Sequence, residues 1–208
     1  FAQRRAALGL VQELIASSLE FDLRRGLEAA AGHLPIPASP ESLSACLDFI
    51  IERLRNLLLE QGNRYDIVDA VVVAQGNNPA SAALAVPALA SWVRRPDWNT
   101  ILPAYARCVR ITRDQEQTYP LDPDRFIEPA ERDLYGALQA AESRPRSPGS
   151  VDDFLHAFLP MITAIDTFFD QVLVMTEDAQ IQKNRLGLLQ RIAALASGVA
   201  DLSRLEGF

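Results

Sequence analysis

The 208-residue sequence predicts an all-α protein, and three observations lead to this prediction. Apolar residues recur at the three- and four-residue spacing of amphipathic helices along almost the whole chain. No alternating run of apolar and polar residues extends beyond a few positions, so strands are not expected. Prolines, glycines and capping residues separate the helical stretches. With 49% hydrophobic and 23% charged residues, the chain has the composition of a globular protein that buries a core.

The first two helices are predicted in the stretches RRAALGLVQELIASSLE and FDLRRGLEAAAGHL, which precede the proline-rich stretch PIPASP. Because proline lacks a backbone donor and biases its predecessor towards extended backbone, we expect a domain boundary here. Residues 1–36 are interpreted as the C-terminal helices of a preceding domain, and residues 39–208 as one helical domain. The sequence starts at Phe1 directly on a helical pattern, so we expect it to be part of a longer protein.

The helices of the second part are predicted from their caps and their periodicity. Ser39 is expected to cap the helix ESLSACLDFIIERLRNLLLEQG, which Gly62 ends. Further helices are predicted in DIVDAVVVAQG, PASAALAVPALASWVRR, NTILPAYARCVRITRD and PAERDLYGALQAAE. The stretch QEQTYPLDPD is predicted to be a loop and SRPRSPGS a linker. Ser150 with Asp153 predicts the start of one helix, VDDFLHAFLPMITAIDTFFDQV, and a last amphipathic helix is predicted over about 177–205.

The charge of the chain restricts its partners. A net charge of −7 disfavours a general nucleic-acid binder, because Lys and Arg supply phosphate contacts. Two segments are nevertheless locally basic: five arginines accompany one acid between Arg94 and Arg113, and residues 179–200 carry three basic residues and no acid. No apolar stretch is long enough to span a bilayer, so no membrane partner is expected. Two distant cysteines predict free thiols and a cytoplasmic location rather than a disulfide or a zinc site.

Few residues are suited to catalysis or metal binding. His33 and His156 lie far apart without a second ligand at helical spacing, so no metal site is predicted. The sequence has no glycine-rich phosphate loop and no nucleophile elbow, and an active site is not expected. Asp166 and Asp170 share one helix face and form either an acid/base pair or ion-pair partners of Arg185. We favour the structural ion pair.

The arginine-rich segment has two interpretations. Arg107, Arg110 and Arg113 are spaced by three residues and therefore line one stripe of a helix. The stripe is either an ordinary solvated face or a surface that follows phosphates. In the second case Trp92, Trp98 or Tyr105 would be available to stack on unpaired bases. Composition leaves both interpretations open.

Six stretches, in order along the chain, resemble motifs of one protein family. FAQRRAALGLV is similar to F-A-L-R-R-A-A-L-G-V, and FIIERLRNLLLEQGNRYDIVDAVVVAQ to R-L-x-x-x-L-x-x-x-G-x-x-x-D-V-I-D-A-V-L-A. ILPAYARCVRI is similar to A-x-K-R-V-x-N-I, and RFIEPAERDLYGAL to L-F-x-x-x-A-E-x-x-L-Y-x-A-L. DTFFDQVLVM and NRLGLLQRIAALASGVADLSRL resemble a V-D-A-F-F-D-x-V-M-V-M core followed by an N-R-L-x-L-L helix and a V-A-D-I-S ending. Together they resemble the C-terminal region of the bacterial glycyl-tRNA synthetase β subunit.

The resemblance implies a helical bundle of the anticodon-binding type found in class Ia synthetases, related to that of arginyl-tRNA synthetase. Such a domain would hold the anticodon end of glycine tRNA. Adenylation and aminoacylation, with ATP and Mg²⁺, would occur on the α subunit, so no cofactor and no catalysis are expected in this fragment. The expected partners are glycine tRNA, the remainder of the β subunit and the α subunit in a heterotetramer; DNA is not expected.

The candidate tRNA-binding residues are the basic, amide and aromatic side chains of the two locally basic segments. They are Arg94, Trp98, Tyr105, Arg107, Arg110, Arg113, Lys183, Asn184 and Arg185. An alternative hypothesis is that the helices form an assembly module, which contacts other parts of the synthetase and has little direct contact with RNA.

Overall fold

The computed structural model describes all 208 residues and contains ten α-helices, three short 3-10 segments and no strand. The predicted all-α fold is therefore confirmed. The α-helices are α1 (Ala2–Ala16), α2 (Leu23–Ala31), α3 (Pro40–Glu60), α4 (Tyr65–Gln75), α5 (Pro79–Val93), α6 (Trp98–Thr112), α7 (Pro129–Glu142), α8 (Val151–Phe158), α9 (Ile162–Gln171) and α10 (Ala179–Ala194).

The chain divides into two compact units. The first consists of Phe1–Val93 and Gly198–Glu206, and the second of Arg94–Ser197 and Gly207–Phe208. In the first unit α1, α2 and α4 pack against α3, and α5 packs against α1 and α4. In the second unit α10 and α9 pack against α6, while α7 packs against α8, α9 and α10. The predicted boundary between 1–36 and 39–208 lies inside the first unit, and the assignment of residues 1–36 to a preceding domain stays a prediction.

Side-chain caps start several helices where the sequence predicts them. The Ser39 hydroxyl accepts a hydrogen bond from the Ser42 N–H (3.2 Å) at the start of α3. The Ser150 hydroxyl accepts one from the Asp153 N–H (3.1 Å) at the start of α8. These bonds satisfy N–H groups that have no partner inside the helix.

Two predicted helices differ from the structure. The single helix predicted for VDDFLHAFLPMITAIDTFFDQV is divided into α8 and α9 by a 3-10 segment, Leu159–Met161. Pro160 lies in this segment and cannot donate the backbone hydrogen bond that a continuous helix requires. The last helix, predicted over about 177–205, ends at Ala194. Gly198 follows with a φ of 71°, a conformation that favours glycine and turns the chain away from the helix axis.

The segment after Gly198 is attached to α4. Four hydrogen bonds join them: from the Asp201 N–H to the Ala70 carbonyl (2.8 Å), from Gln75 Nε2 to the Val199 carbonyl (2.7 Å), from the Glu206 N–H to the Asp66 carboxylate (3.0 Å) and from the Tyr65 hydroxyl to the Glu206 carboxylate (2.9 Å). Asp66 is buried and also pairs with Arg64 (2.7 Å). The C-terminal segment is therefore an integral part of the first unit.

A loop of residues 117–122 lies on one face of α10. Four hydrogen bonds hold it: the Tyr119 N–H to Gln190 Oε1 (2.9 Å), Gln190 Nε2 to the Gln117 carbonyl (2.9 Å), the Asp122 N–H to Asn184 Oδ1 (2.7 Å) and Asn184 Nδ2 to the Asp122 carbonyl (2.9 Å). Gly187 lies between these two side chains, and a Cβ atom there would be 2.9 Å from the Tyr119 carbonyl oxygen. The three helix positions, spaced by three residues, form a single docking face for the loop.

We expect Gly187→Ala to lower the free energy of unfolding by about 1–3 kcal/mol, because the new methyl group would meet backbone rather than a flexible side chain. Urea unfolding followed by circular dichroism would measure the change. Gly136→Ala in α7 is the matched control, since nothing lies within 4 Å of a Cβ atom there. This control should gain about 0.5–1 kcal/mol from helix propensity. Equal effects of the two substitutions would contradict the close contact between loop and helix.

Candidate nucleic-acid interface

Two of the predicted arginines at the C-terminal end of α6 are exposed: Arg110 in its last turn and Arg113, which directly follows its last residue. Arg113 has a side chain that is 63% exposed, with its Nε 3.7 Å from the carboxylate of Asp114. Arg110 is also exposed, and its Cζ lies 5.3 Å from the centroid of the Phe208 ring. Neither guanidinium is committed to a buried partner, so both are accessible to an anion in solution.

Arg107 is half-buried and contacts α9. Its Nη1 lies 3.1 Å from the Asp166 carboxylate and its Nη2 3.9 Å from that of Asp170. The guanidinium Cζ lies 4.4 Å from the centroid of the Phe169 ring. The third arginine of the stripe is thus partly neutralised and held in place, whereas Arg110 is not.

The predicted ion pair of Asp166 or Asp170 with Arg185 is wrong. Both aspartates pair with Arg107, because α9 packs against α6 and the two carboxylates face that helix. Arg185 instead pairs with Glu131, at 2.9 Å. Spacing along one helix correctly predicts that the two aspartates share a face, but not which helix that face meets.

The pair between Glu131 and Arg185 is buried, and both residues form further hydrogen bonds. The two residues are 0% and 6% exposed. Glu131 Oε1 accepts from Arg185 Nε, and Oε2 accepts from the N–H groups of Ile127 (2.8 Å) and Glu128 (2.7 Å). Arg185 Nη1 donates to the Leu173 carbonyl (2.9 Å). This pair therefore joins the start of α7, α10 and the segment that follows α9.

Burial raises the pKa of Glu131, but the hydrogen bonds from Arg185 and from the N–H groups of Glu128 and Ile127 together outweigh it. The pKa of Glu131 is therefore held below its ordinary value. The carboxylate is charged at neutral pH, as its position opposite a guanidinium requires.

Sequence analysis did not single out Glu131, although a signal for it was present. Pro129 opens α7 and Glu131 is its third residue, where a Glu side chain commonly reaches back to the backbone N–H at the helix start. That pattern predicts a cap. It does not predict that the same carboxylate also neutralises a buried arginine.

The predicted RNA-binding roles of Asn184 and Arg185 are corrected by their burial. Asn184 is 3% exposed, and its amide is fully used on the backbone of Asp122. Arg185 is enclosed with Glu131. Neither side chain reaches the surface, so neither contacts a nucleic acid in this conformation.

The predicted stacking of Trp92, Trp98 or Tyr105 on bases is also corrected. These residues are 4%, 8% and 6% exposed, respectively. The Tyr105 hydroxyl donates to the Ala193 carbonyl (2.8 Å), and the edge of its ring contacts Phe158, with centroids 5.7 Å apart. The Trp98 and Tyr105 rings belong to the core of the second unit, where an aromatic residue contributes packing and a satisfied hydroxyl.

The candidates that remain exposed are Arg94, Arg110, Arg113 and Lys183. Lys183 lies near the start of α10 and forms no ion pair. The second unit contains 12 Lys and Arg residues and 15 Asp and Glu residues, so its basic character is local to these positions.

Other chemistry is limited. No group of three or more His, Cys, Asp or Glu side chains is arranged to hold a metal ion. Complete burial raises the pKa of the Cys108 thiol to about 12, which leaves it protonated and unreactive at neutral pH. None of the helices is both long and apolar enough to cross a membrane.

The whole chain aligns with glycine–tRNA ligases. A family model described as glycyl-tRNA synthetase beta subunit matches residues 1–73. The glycine–tRNA ligase beta subunit of Aromatoleum aromaticum is 38% identical over 99% of this chain, and that of Moorella thermoacetica 33% identical over 99%. A chloroplastic/mitochondrial glycine–tRNA ligase of Arabidopsis thaliana is 32% identical over all of it.

The chain belongs to the glycyl-tRNA synthetase β-subunit family. It spans 30% and 31% of the length of the two bacterial β subunits and 20% of the plant protein. It therefore corresponds to one part of a much longer β subunit.

We expect Glu131→Gln to lower the free energy of unfolding by about 3–5 kcal/mol, because it leaves the Arg185 charge buried without a counter-ion. Chemical unfolding monitored by circular dichroism would measure the loss. Asp97→Asn is the control, since Asp97 also pairs with an arginine, Arg95 (2.7 Å), but on the surface. Its unfolding midpoint should hardly change. A mild effect of Glu131→Gln, similar to that of the control, would show that the buried pair is dispensable.

The depressed pKa of Glu131 predicts a pH dependence of stability. The contribution of this carboxylate is fully present above its ordinary pKa of 4.5 and is lost as the pH falls through the lower folded value. We expect thermal denaturation between pH 7 and pH 3 to show a steep loss of stability below about pH 4.5. In Glu131→Gln the loss should be shallower, because the titrating group is absent. Identical pH profiles for both proteins would contradict the assignment.

Proposed function

We propose that this chain is the tRNA-binding part of a glycyl-tRNA synthetase β subunit and that it recognises the anticodon end of glycine tRNA. The observation that carries the proposal is the exposed pair Arg110 and Arg113 on one face of α6, in a chain whose relatives are glycine–tRNA ligases. Arg94 and Lys183 are further exposed cations in the same unit. These side chains would neutralise phosphates of the anticodon stem-loop.

The acidic net charge is compatible with such a role. Interactions between exposed charges are screened over about 8 Å at physiological salt, so a few accessible cations can bind phosphates on a protein that is acidic elsewhere. The contribution of each contact would be small. In the full-length synthetase, contacts made elsewhere would add to it through the high effective concentration of a tethered site.

The rest of the proposal follows from the family. We place adenylation and aminoacylation, with ATP and Mg²⁺, on the α subunit and assign no catalytic step to this chain. Its protein partners would be the remainder of the β subunit and the α subunit in a heterotetramer, in the cytoplasm.

An assembly role is the second candidate, and one observation favours it. The backbone is extended at Val172, directly after α9. In the segment that follows, Val172 and Val174 are buried while Leu173 and Met175 are 72% and 52% exposed. Two large apolar side chains thus point outwards from a segment that Arg185 fixes through the Leu173 carbonyl. Exposed apolar residues held in this way are typical of protein contacts.

We expect the double variant Arg110→Gln with Arg113→Gln to bind glycine tRNA more weakly and to reduce the slope of log affinity against log salt by about two. Titrations at several salt concentrations, with glycine tRNA and with the same tRNA carrying a changed anticodon, would measure affinity and selectivity. Arg110→Lys with Arg113→Lys keeps both charges and is the matched control, in which the salt slope should be largely retained.

Two outcomes would contradict this proposal. Unchanged affinity of the glutamine double variant would exclude the α6 face as the contact surface. If the folded wild-type protein did not bind tRNA even at low salt, RNA binding by this part of the subunit would be excluded and the assembly role favoured.

A further inference from the structure

A small basic pocket lies between α1 and α3 in the first unit. Its volume is about 190 Å³, and the residues that line it include Arg4, Arg5, Leu8, Arg53, Asn56 and Glu60. Three arginines thus line one concave surface together with a single acidic residue. None of these residues was a candidate from sequence, because Arg53 is separated from the other two arginines by almost 50 positions.

Two of the three arginines have no counter-ion in the fold, and the third is paired only with an exposed carboxylate. Arg4 and Arg5 are exposed and form no salt bridge. Arg53 pairs with the exposed carboxylate of Glu52 through Nη2 (2.6 Å), and its Cζ lies 4.9 Å from the centroid of the Phe49 ring. The aromatic contact and the helix packing hold the Arg53 guanidinium in place, so the pocket is already formed.

Arg53 also has a buried donor atom that forms no hydrogen bond. Its Nε is the single buried side-chain nitrogen or oxygen atom without a hydrogen-bond partner. Buried polar atoms are nearly always paired, and an exception calls for an explanation such as a role in binding. A guanidinium that has an unused N–H donor and lies beside an open pocket can bind an anionic ligand after a small rotation of its side chain.

We propose that this pocket, defined by Arg4, Arg5 and Arg53, binds a phosphate group. The planar, multi-donor guanidinium is the side chain that best matches phosphate oxygens, and the Asn56 amide adds a neutral donor. Because neighbouring residues of a helix point about 100° apart, Arg4 and Arg5 approach the pocket from different directions. That arrangement fits successive phosphates of a nucleic acid better than one protein carboxylate.

The favoured source of the phosphate is the backbone of bound tRNA, and this part of the inference rests on the proposed function. The proposal that the pocket binds a phosphate group does not rest on that function, since a free phosphate would use the same donors. The first unit would then contribute to RNA binding through a contact that is sequence-independent.

The test compares two arginine doublets of the same unit. Arg4→Gln with Arg5→Gln removes the exposed cations of the pocket, whereas Arg24→Gln with Arg25→Gln removes the same charge from an exposed doublet on α2. Circular dichroism would first establish that both fold. We expect the first variant to weaken tRNA binding ~10-fold near 0.1 M salt and to lower the salt slope by about two, and the second to change both much less. Arg4→Lys with Arg5→Lys should retain most of the slope.

A second arm uses inorganic phosphate as the probe, at constant ionic strength. Phosphate should raise the melting temperature of the wild-type protein and of the α2 variant, but not of Arg4→Gln with Arg5→Gln. If phosphate raises these melting temperatures and the wild type does not bind tRNA, the pocket is a binding site for free phosphate and the proposed function is wrong.

Three results would overturn the inference. The first is an equal loss of tRNA affinity in the two doublet variants, which would show a general charge effect. The second is normal tRNA binding by Arg4→Gln with Arg5→Gln, without any effect of phosphate on the melting temperature of the wild type. If the Arg110→Gln with Arg113→Gln variant is impaired at the same time, the proposed function stays intact. The third is that phosphate does not raise the melting temperature of the wild type and that Arg4→Gln with Arg5→Gln no longer associates with the rest of the synthetase. This result would indicate a protein carboxylate as the ligand.

Discussion

The buried ion pair between Glu131 and Arg185 is the interaction on which the second unit depends. A charged group removed from water must find a counter-charge and partners for its remaining donors or acceptors. Here one carboxylate binds a guanidinium and two N–H groups at the start of α7, and the guanidinium also binds the Leu173 carbonyl. A shift of α7 or α10 along its axis would leave a charge unpaired, so the pair determines how these helices and the segment after α9 are aligned.

That alignment divides the basic residues into two groups. Arg185 is buried in its ion pair with Glu131, and Arg107 pairs with the two aspartates of α9. Arg110 and Arg113 stay exposed, as do Arg94 and Lys183, so these side chains can exchange water for phosphate at low cost. In a chain that is acidic overall, the position of such cations matters more than their number, because screening restricts each charge to its own surroundings.

Polar side chains on helices hold the irregular segments in both units. Asn184 and Gln190 each donate to and accept from the loop of residues 117–122, while Gln75 donates to the Val199 carbonyl and accepts from the Ser81 hydroxyl (2.6 Å). Amides are suited to this because they carry both donors and acceptors. A helix position that looks like a ligand contact in the sequence can therefore be fully occupied by the backbone of a neighbouring loop.

The sequence by itself determined the all-α fold, the starts of α3 and α8 at Ser39 and Ser150, and the shared face of Asp166 and Asp170, because caps and periodicity act within one segment. Its motifs also indicated the synthetase family. Only the tertiary structure decided that Arg107 rather than Arg185 meets those aspartates, that Trp98 and Tyr105 are buried, and that Arg53 joins Arg4 in one pocket. These outcomes depend on which helices pack together, and the spacing of residues within a single helix carries no information about its neighbours.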